Sequence, residues 1–314
     1  MADLYIIAFG GNALNSPGGD GSAREMTLNI RQALRSILPV LENGHRLVLT
    51  HGNGPQVGME MLKNDAGKTL YDTSVFPLDV LVAETQGQIG YLIERELRNL
   101  LSEHNLDYEV AGTIGMIEVD KSDPAFEHPE KRVGKTYYDE TEVARMQSEK
   151  HWKFAEEIKN GKKGWRRVVP SPEPQRIVNK KSLQALVNAG IIVITGGGGG
   201  IPVIRTNGQW QGVEAVIDKD RATALLAEEL SADRMIILTD VPCVYMNYGK
   251  PDAEKLEQIS LKEIEILTSK GVFGKGNMLP KIQAAAHFVQ RTGHTAVITN
   301  FEGLQTGKGT KIIP

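Results

Sequence analysis

Three times in this chain a short apolar run passes without a break into a glycine-rich turn. Tyr5 to Phe9 leads into Gly10-Gly11-Asn12-Ala13-Leu14, Arg46 to Thr50 into His51-Gly52-Asn53-Gly54-Pro55-Gln56, and Ile191 to Thr195 into the five glycines Gly196 to Gly200. The first run, aliphatic and aromatic with no alternating polar positions, predicts a central strand covered on both faces, as in a parallel sheet flanked by helices. Glycines at the carboxyl end of such a strand leave amides bare, and an anionic oxygen can then approach closer than a Cβ would allow. In an open α/β sheet, ligands sit outside the carboxyl ends of the strands. One Gly-Gly pair alone reads as a tight turn. Three such loops predict one anion-rich site.

The loops do not carry the commoner nucleotide signatures. Gly67-Lys68-Thr69 and Gly134-Lys135-Thr136 end like P-loops, but Leu62 and Pro129 stand where the upstream glycine is needed. Counted from Gly196, a dinucleotide fingerprint requires glycine at the position of Ile201. A nicotinamide dehydrogenase is therefore disfavoured. The 36 basic and 39 acidic residues nearly cancel, giving −3, and no basic block suggests a nucleic-acid or membrane surface. A small ligand is expected. Cys243 is the sole cysteine, so neither an internal disulfide nor a cysteine metal cluster can form, which fits a reducing compartment. With no signal-peptide pattern ahead of the first strand and no bilayer-length apolar run, the reading is a cytoplasmic protein.

Along the chain, Ser22 and Glu25 form a capping box ahead of Met26, Ile30, Ala33, Leu34, Ile37, Leu38 and Leu41, which recur at helical spacing. Pro39 predicts a kink or an early end there. Pro55 opens the next helix at a first-turn position, Asp79 to Leu101 reads as a long helix, and Tyr108 to Thr113 as a strand. Between about Glu118 and Pro174 the composition changes. Five prolines (124, 129, 170, 172 and 174) and dense charge argue against regular sheet, leaving Asp139 to Ile158 as the helical part. The segment reads as an insertion projecting from the sheet, by itself no more than a solvated excursion.

Beyond the five glycines, Asn207-Gly208 is a hairpin signal between Val203 to Arg205 and Gln209 to Val213. Ala215 to Ile217 reads as a strand delivering Asp218, Lys219 and Asp220, with Asp220 placed to cap a helix over 221–230. Arg234 to Leu238 is a further strand, ending in Thr239 and Asp240, and Ser260 with Glu263 caps a helix. A loop containing Gly274, Gly276, Asn277 and Met278 precedes a helix with Pro280 in its first turn and Lys281 behind it. A lysine at a helix start opposes the macrodipole unless an anion is bound there.

The runs Gly10 to Leu14, His51 to Gly58, Trp165 to Pro172, Gly196 to Val203, Val213 to Asp220 and Met278 to Lys281, in that order and over essentially the whole chain, resemble the carbamate kinases of the amino-acid kinase family. Asp123 to Phe126 and Lys131 to Gly134 are similar to those enzymes and not to other members of the family. One departure is Asn277, where the family pattern has serine, a change that touches a nucleotide contact. The resemblance implies a three-layer αβα sandwich with an open, mostly parallel sheet, a single domain over 1–314 with a lid insertion over 118–174, and a homodimer. It also implies reversible phosphoryl transfer between MgATP and carbamate, giving carbamoyl phosphate and MgADP. Gly10, Gly11, Asn12, Gly52 and Asn53 would surround carbamate and the transferring group. Lys131, Lys219 and Lys281 would supply positive charge, with Asp220 orienting the lysines. Gly197, Gly198, Thr239, Asp240, Tyr248 and Met278 would lie along the nucleotide.

The chemistry agrees with that implication. Carbamate is already an oxyanion, so transfer needs positioning and charge neutralisation and no general base. The seven histidines form no close pair suited to a metal, so no protein-only metal site is expected and Mg²⁺ is expected to arrive on the ATP or ADP phosphates. Two other readings stay open: another amino-acid kinase with a different acceptor, and a non-catalytic nucleotide sensor. A sensor has no reason to keep three lysines and Asp220. A carbohydrate or nucleic-acid module is disfavoured by the near-neutral charge and 6% aromatic content.

Overall fold

The computed structural model describes residues 2–11, 14, 18–159, 161–273 and 278–314. Asn12, Gly274, Gly276 and Asn277 lie outside that set. In chain order, β1 (Leu4–Phe9), α1 (Ala23–Arg35), α2 (Leu38–Glu42), β2 (Arg46–His51), α3 (Gly54–Tyr71) and α4 (Leu78–Glu103) lead to β3 (Val110–Gly112) and β4 (Met116–Val119). An excursion follows through β5 (Lys131–Tyr137), α5 (Glu140–Lys150), β6 (Lys153–Lys159) and β7 (Lys162–Val169) before β8 (Pro174–Ile177) and α6 (Lys180–Asn188). Next come β9 (Ile192–Ile194), β10 (Ile201–Thr206), β11 (Gln209–Gly212), α7 (Lys219–Glu229), β12 (Arg234–Leu238), β13 (Val244–Met246) and β14 (Glu254–Leu256). The chain ends with β15 (Gln258–Ser260), α8 (Leu261–Ser269), α9 (Met278–Thr292), β16 (Thr295–Thr299), α10 (Phe301–Thr306) and β17 (Thr310–Ile313).

The main sheet has eight strands in the order β15-β17-β16-β12-β1-β2-β9-β3, and only the β16–β17 contact is antiparallel. Its pleat sorts the core into two layers. Leu4, Ile6, Val48, Val193, Met235 and Ile237 face α6, α7, α8 and α9, whereas Ile7, Phe9, Leu47, Leu49, Ile194 and Ile236 face α1, α2 and α4. Helices thus cover both faces of a mostly parallel sheet, the expected αβα sandwich, and β1 lies inside it as its unbroken apolar run requires. The first helix is interrupted as Pro39 predicts: α1 ends at Arg35, and α2 begins with that proline in its first turn. Ser22 accepts from the Glu25 amide, while the Glu25 carboxylate takes the Gly21 amide. Among the described residues no helix is long and apolar enough to cross a membrane.

Two expectations about strands fail. The excursion between β4 and β8 is largely sheet: β5, β7 and β6 form an antiparallel unit, and the stretch read as helix to Ile158 stops at Lys150. His151 takes a left-handed φ of 53° and ends α5, after which Phe154 to Ile158 pair in β6. The prolines misled because they flank the strands. Pro129 precedes β5, and Pro170 and Pro172 follow β7. The second failure is Ala215 to Ile217, which is buried but joins no ladder. Its amides bond elsewhere, Val216 N donating to the Pro170 carbonyl at 3.0 Å.

Candidate functional site

Because β1, β2 and β9 are neighbours in the sheet, the three glycine loops open side by side at one edge. Their glycines serve different ends. A Cβ on Gly10 would stand 2.8 Å from the Leu238 carbonyl oxygen, so this glycine lets the end of β1 close on the end of β12, whereas Gly11 faces open space. Gly197 and Gly198 make room for the second loop: a Cβ on the first would overlap the His51 ring, and one on the second the Asn53 carboxamide. Asn53 in turn donates to Thr85 Oγ1 at 2.9 Å, and Thr85 donates to the Val82 carbonyl at 2.7 Å, so α4 braces the loop from behind. His51 Nδ1 lies 2.9 Å from the Gly52 carbonyl oxygen, an acceptor, which assigns the proton to that nitrogen. Burial, reinforced by the Lys219 ammonium and partly opposed by that hydrogen bond, pushes its pKa down to about 4, so the ring is neutral at pH 7.

Beside these loops the chain gathers charge. The cap of α7 is Asp218: its Oδ1 accepts from the amides of Asp220 at 3.0 Å and Arg221 at 3.4 Å. The sequence reading gave that duty to Asp220 for a helix starting at 221; the helix starts two residues earlier, and Asp220 is inside its first turn. Freed from capping, Asp220 bridges two lysines. Lys219 Nζ donates to Oδ1 at 2.5 Å and Lys281 Nζ to Oδ2 at 2.8 Å. Burial alone would raise the Asp220 pKa, but the two ammonium groups outweigh it and hold the carboxyl at about 2. Burial and the neighbouring Lys281 lower the Lys219 pKa against the pull of Asp220. Lys281 enters from the first turns of α9, where a cation opposes the helix dipole and Asp220 offsets it. Lys131, the first residue of β5, reaches across to Asp218 Oδ2 at 2.8 Å.

Three lysines and Arg132 against two aspartates leave two positive charges in excess around a cleft of about 360 Å³, which Gly11, Gly52, Asn53 and Gly198 also line. A second cleft, of about 590 Å³, is lined by Thr239, Asp240, Tyr245, Tyr248, Phe273 and Met278. The rings of Tyr245 and Tyr248 stand 5.6 Å apart, and this aromatic wall suits a flat heterocycle. Met278 lines the larger cleft while Pro280 and Lys281 line the smaller, so one turn of α9 joins the two. Gly197 is buried beneath His51, and neither it nor Gly198 lines the larger cleft. Among the described residues no group of three or more His, Cys, Asp or Glu gathers to hold a metal. The sequence reading missed His51 and Thr85 as braces. The one signal for them is their tie to Asn53 and the glycine run, which depends on the strand order.

The arrangement concentrates positive charge and bare amides at one cleft and an aromatic wall at its neighbour, which suits transfer of an anionic group from a nucleotide. Known proteins agree. The chain is 43% identical to the carbamate kinase of Pyrococcus horikoshii, with all of both sequences covered, and 44% identical to that of Thermococcus kodakarensis, with 98% of each covered. It superimposes on a structure of carbamate kinase from Giardia lamblia bound to AMP-PNP with a TM-score of 0.91 at 38% identity, covering 99% of this chain and 98% of that one. The profile described as "Amino acid kinase family" matches residues 3–300. The chain belongs to the amino acid kinase family.

Proposed function

We propose that this protein is a carbamate kinase, transferring a phosphoryl group reversibly between MgATP and carbamate to give carbamoyl phosphate and MgADP. The observation that carries the reading is the convergence of Lys131, Lys219 and Lys281 on two carboxylates in a cleft one helical turn from an aromatic one, in a chain 43% identical to a carbamate kinase over its full length. The carbamate oxygen attacks without a base. The site therefore has to hold two anions together and neutralise the charge spreading over the transferring group. In this reading Lys219 and Lys281 flank that group, Gly11 and Gly52 offer amides, and Asp220 fixes both ammonium groups. Tyr248, Thr239, Asp240 and Met278 border the nucleotide. Asp218 and Asp220 are both engaged by lysines, so Mg²⁺ is best carried by the nucleotide phosphates, where it neutralises their charge.

The same reading includes a lid over 118–174, since carbamate has few atoms to bind and decomposes in water, so an enclosed site both orients and protects it. It also includes a cytoplasmic setting and a homodimer, the latter supported by two exposed large apolar side chains, Tyr91 on α4 and Ile114 beyond β3. The test is coupled ATP formation from ADP and carbamoyl phosphate with Mg²⁺. Turnover of roughly 1–100 s⁻¹, the usual kinase range, is expected. Folded protein with no turnover, or turnover only with acetylglutamate, aspartate or a nucleoside monophosphate as acceptor, would overturn the reading.

A further inference from the structure

The extended segment between β11 and α7 touches the three-stranded sheet through alternate residues. Glu214 accepts from Arg167 Nη2 at 2.7 Å, Val216 N donates to the Pro170 carbonyl at 3.0 Å, and Asp218 accepts from Lys131 at 2.8 Å. Alternation is what extended backbone provides: every second residue faces the same side. On the sheet's side the contacts are also neighbours, since Lys131 pairs with Val169, the residue before Pro170. The segment is therefore a seat for the sheet, and its last contact is made by a residue that also starts α7. The Asp218 carboxylate divides its work, one oxygen capping the helix and the other holding Lys131.

We propose that Asp218 is a positioning residue that presets Lys131 over the anion cleft before substrate arrives. The inference rests on the carbamate kinase reading for the substrate it names. The ion pair is a poor device for stability, because the lysine side chain is 41% exposed, and such pairs contribute little to folding. As a positioning device it is well suited. The Asp218 side chain is 18% exposed and fixed by two backbone amides. Lysine has three donors, so one can stay on Asp218 while two remain for an anion. Asp220 holds Lys219 and Lys281 in the same way, and the incoming anion meets three ammonium groups already in place. Burial would raise the Asp218 pKa, yet Lys131 holds it below the usual carboxylate value, so the partner charge is present at neutral pH.

Asp218→Asn keeps an oxygen for the cap and turns an amide toward the lysine. It should raise the KM for carbamoyl phosphate about tenfold while kcat falls less than about threefold and the Kd for MgADP, measured by calorimetry, stays unchanged. In a Lys131→Met background the same change should cost less than about twofold, because the residue it positions is gone. An undiminished cost there would overturn the proposal and assign the effect to Lys219 or to the helix cap. Hydrogen exchange of the free protein supplies an arm that needs no substrate: amides in 131–169 should exchange faster in Asp218→Asn and also in Lys131→Met, whose cap is intact. If neither variant changes that exchange, the lysine is not held by Asp218. Wild-type protein without carbamoyl phosphate turnover would refute the function, and the exchange result would still decide the contact.

Discussion

Asp220 has 5% of its side chain exposed and an ammonium group on each carboxylate oxygen. Taking these three charges out of water costs several kcal/mol per ion, so such a cluster is weak evidence for stability and stronger evidence of a use. Because Asp218 does the capping, the backbone of α7 does not need the Asp220 carboxylate at all. Asp220→Asn therefore separates the two roles cleanly. It leaves Lys219 and Lys281 repelling one another across a neutral amide, and turnover should fall by roughly 10²-fold or more, with a lowered melting temperature because a buried pair has lost its partner. Near-normal turnover in a folded Asn variant would remove Asp220 from the charge arrangement. The pH dependence carries its own sign. A carboxylate whose pKa is lowered from 3.8 to about 2 contributes stability that is complete above pH 4 and is lost as pH falls toward 2. Its titration therefore does not shape the activity profile near neutrality.

At the scale of elements, legibility followed the locality of the signal. β1, β2, β12, the Asn207-Gly208 hairpin and the Ser260–Glu263 capping box are each dictated by residues adjacent in sequence, and each forms where it was expected. β5 to β7 were not legible, because Phe154 to Ile158 gain their strand partners from Lys163 to Arg167, and prolines outside the strands dominated the composition. The interlock of the glycine loops was hidden for the same reason. Gly197 meets His51 only because β9 is seated next to β2. Its φ is not among the left-handed ones, so glycine is required there by space and not by backbone conformation. Gly197→Ala should destabilise the fold by roughly 1–3 kcal/mol through overpacking. A second change, His51→Ala, should recover part of that loss by vacating the ring. Denaturant unfolding of the two single variants and the double variant checks this, and a Gly197→Ala protein as stable as the wild type would show that the loops do not interlock.

At the scale of the whole molecule, the sheet ends at β3, and an open edge strand is a template for pairing with another chain. Here the edge is closed from within. Arg98 Nη2 donates to the Val110 carbonyl at 2.6 Å, and the Glu94 carboxylate accepts from Gly112 N at 2.8 Å, so two of the polar groups turned away from β9 are taken by α4. The proposed homodimer therefore should not form by pairing at β3. The outer stripe of α4 is the better surface. Gly87 and Tyr91 follow one another at helical spacing on its exposed side, Tyr91 is 62% exposed, and Ile114 just beyond β3 is 58% exposed. A helix of 26 residues is about 39 Å long, enough to contribute much of the roughly 800 Å² per partner that a stable interface buries. If a second copy covers this face, light scattering should give about twice the 34.4 kDa chain mass. The double variant Tyr91→Asp/Ile114→Asp should then give the single-chain mass with an unchanged circular dichroism spectrum, because neither side chain supports the core. A wild-type protein that scatters as a monomer would end the homodimer reading, and a variant that stays dimeric would move the interface off α4.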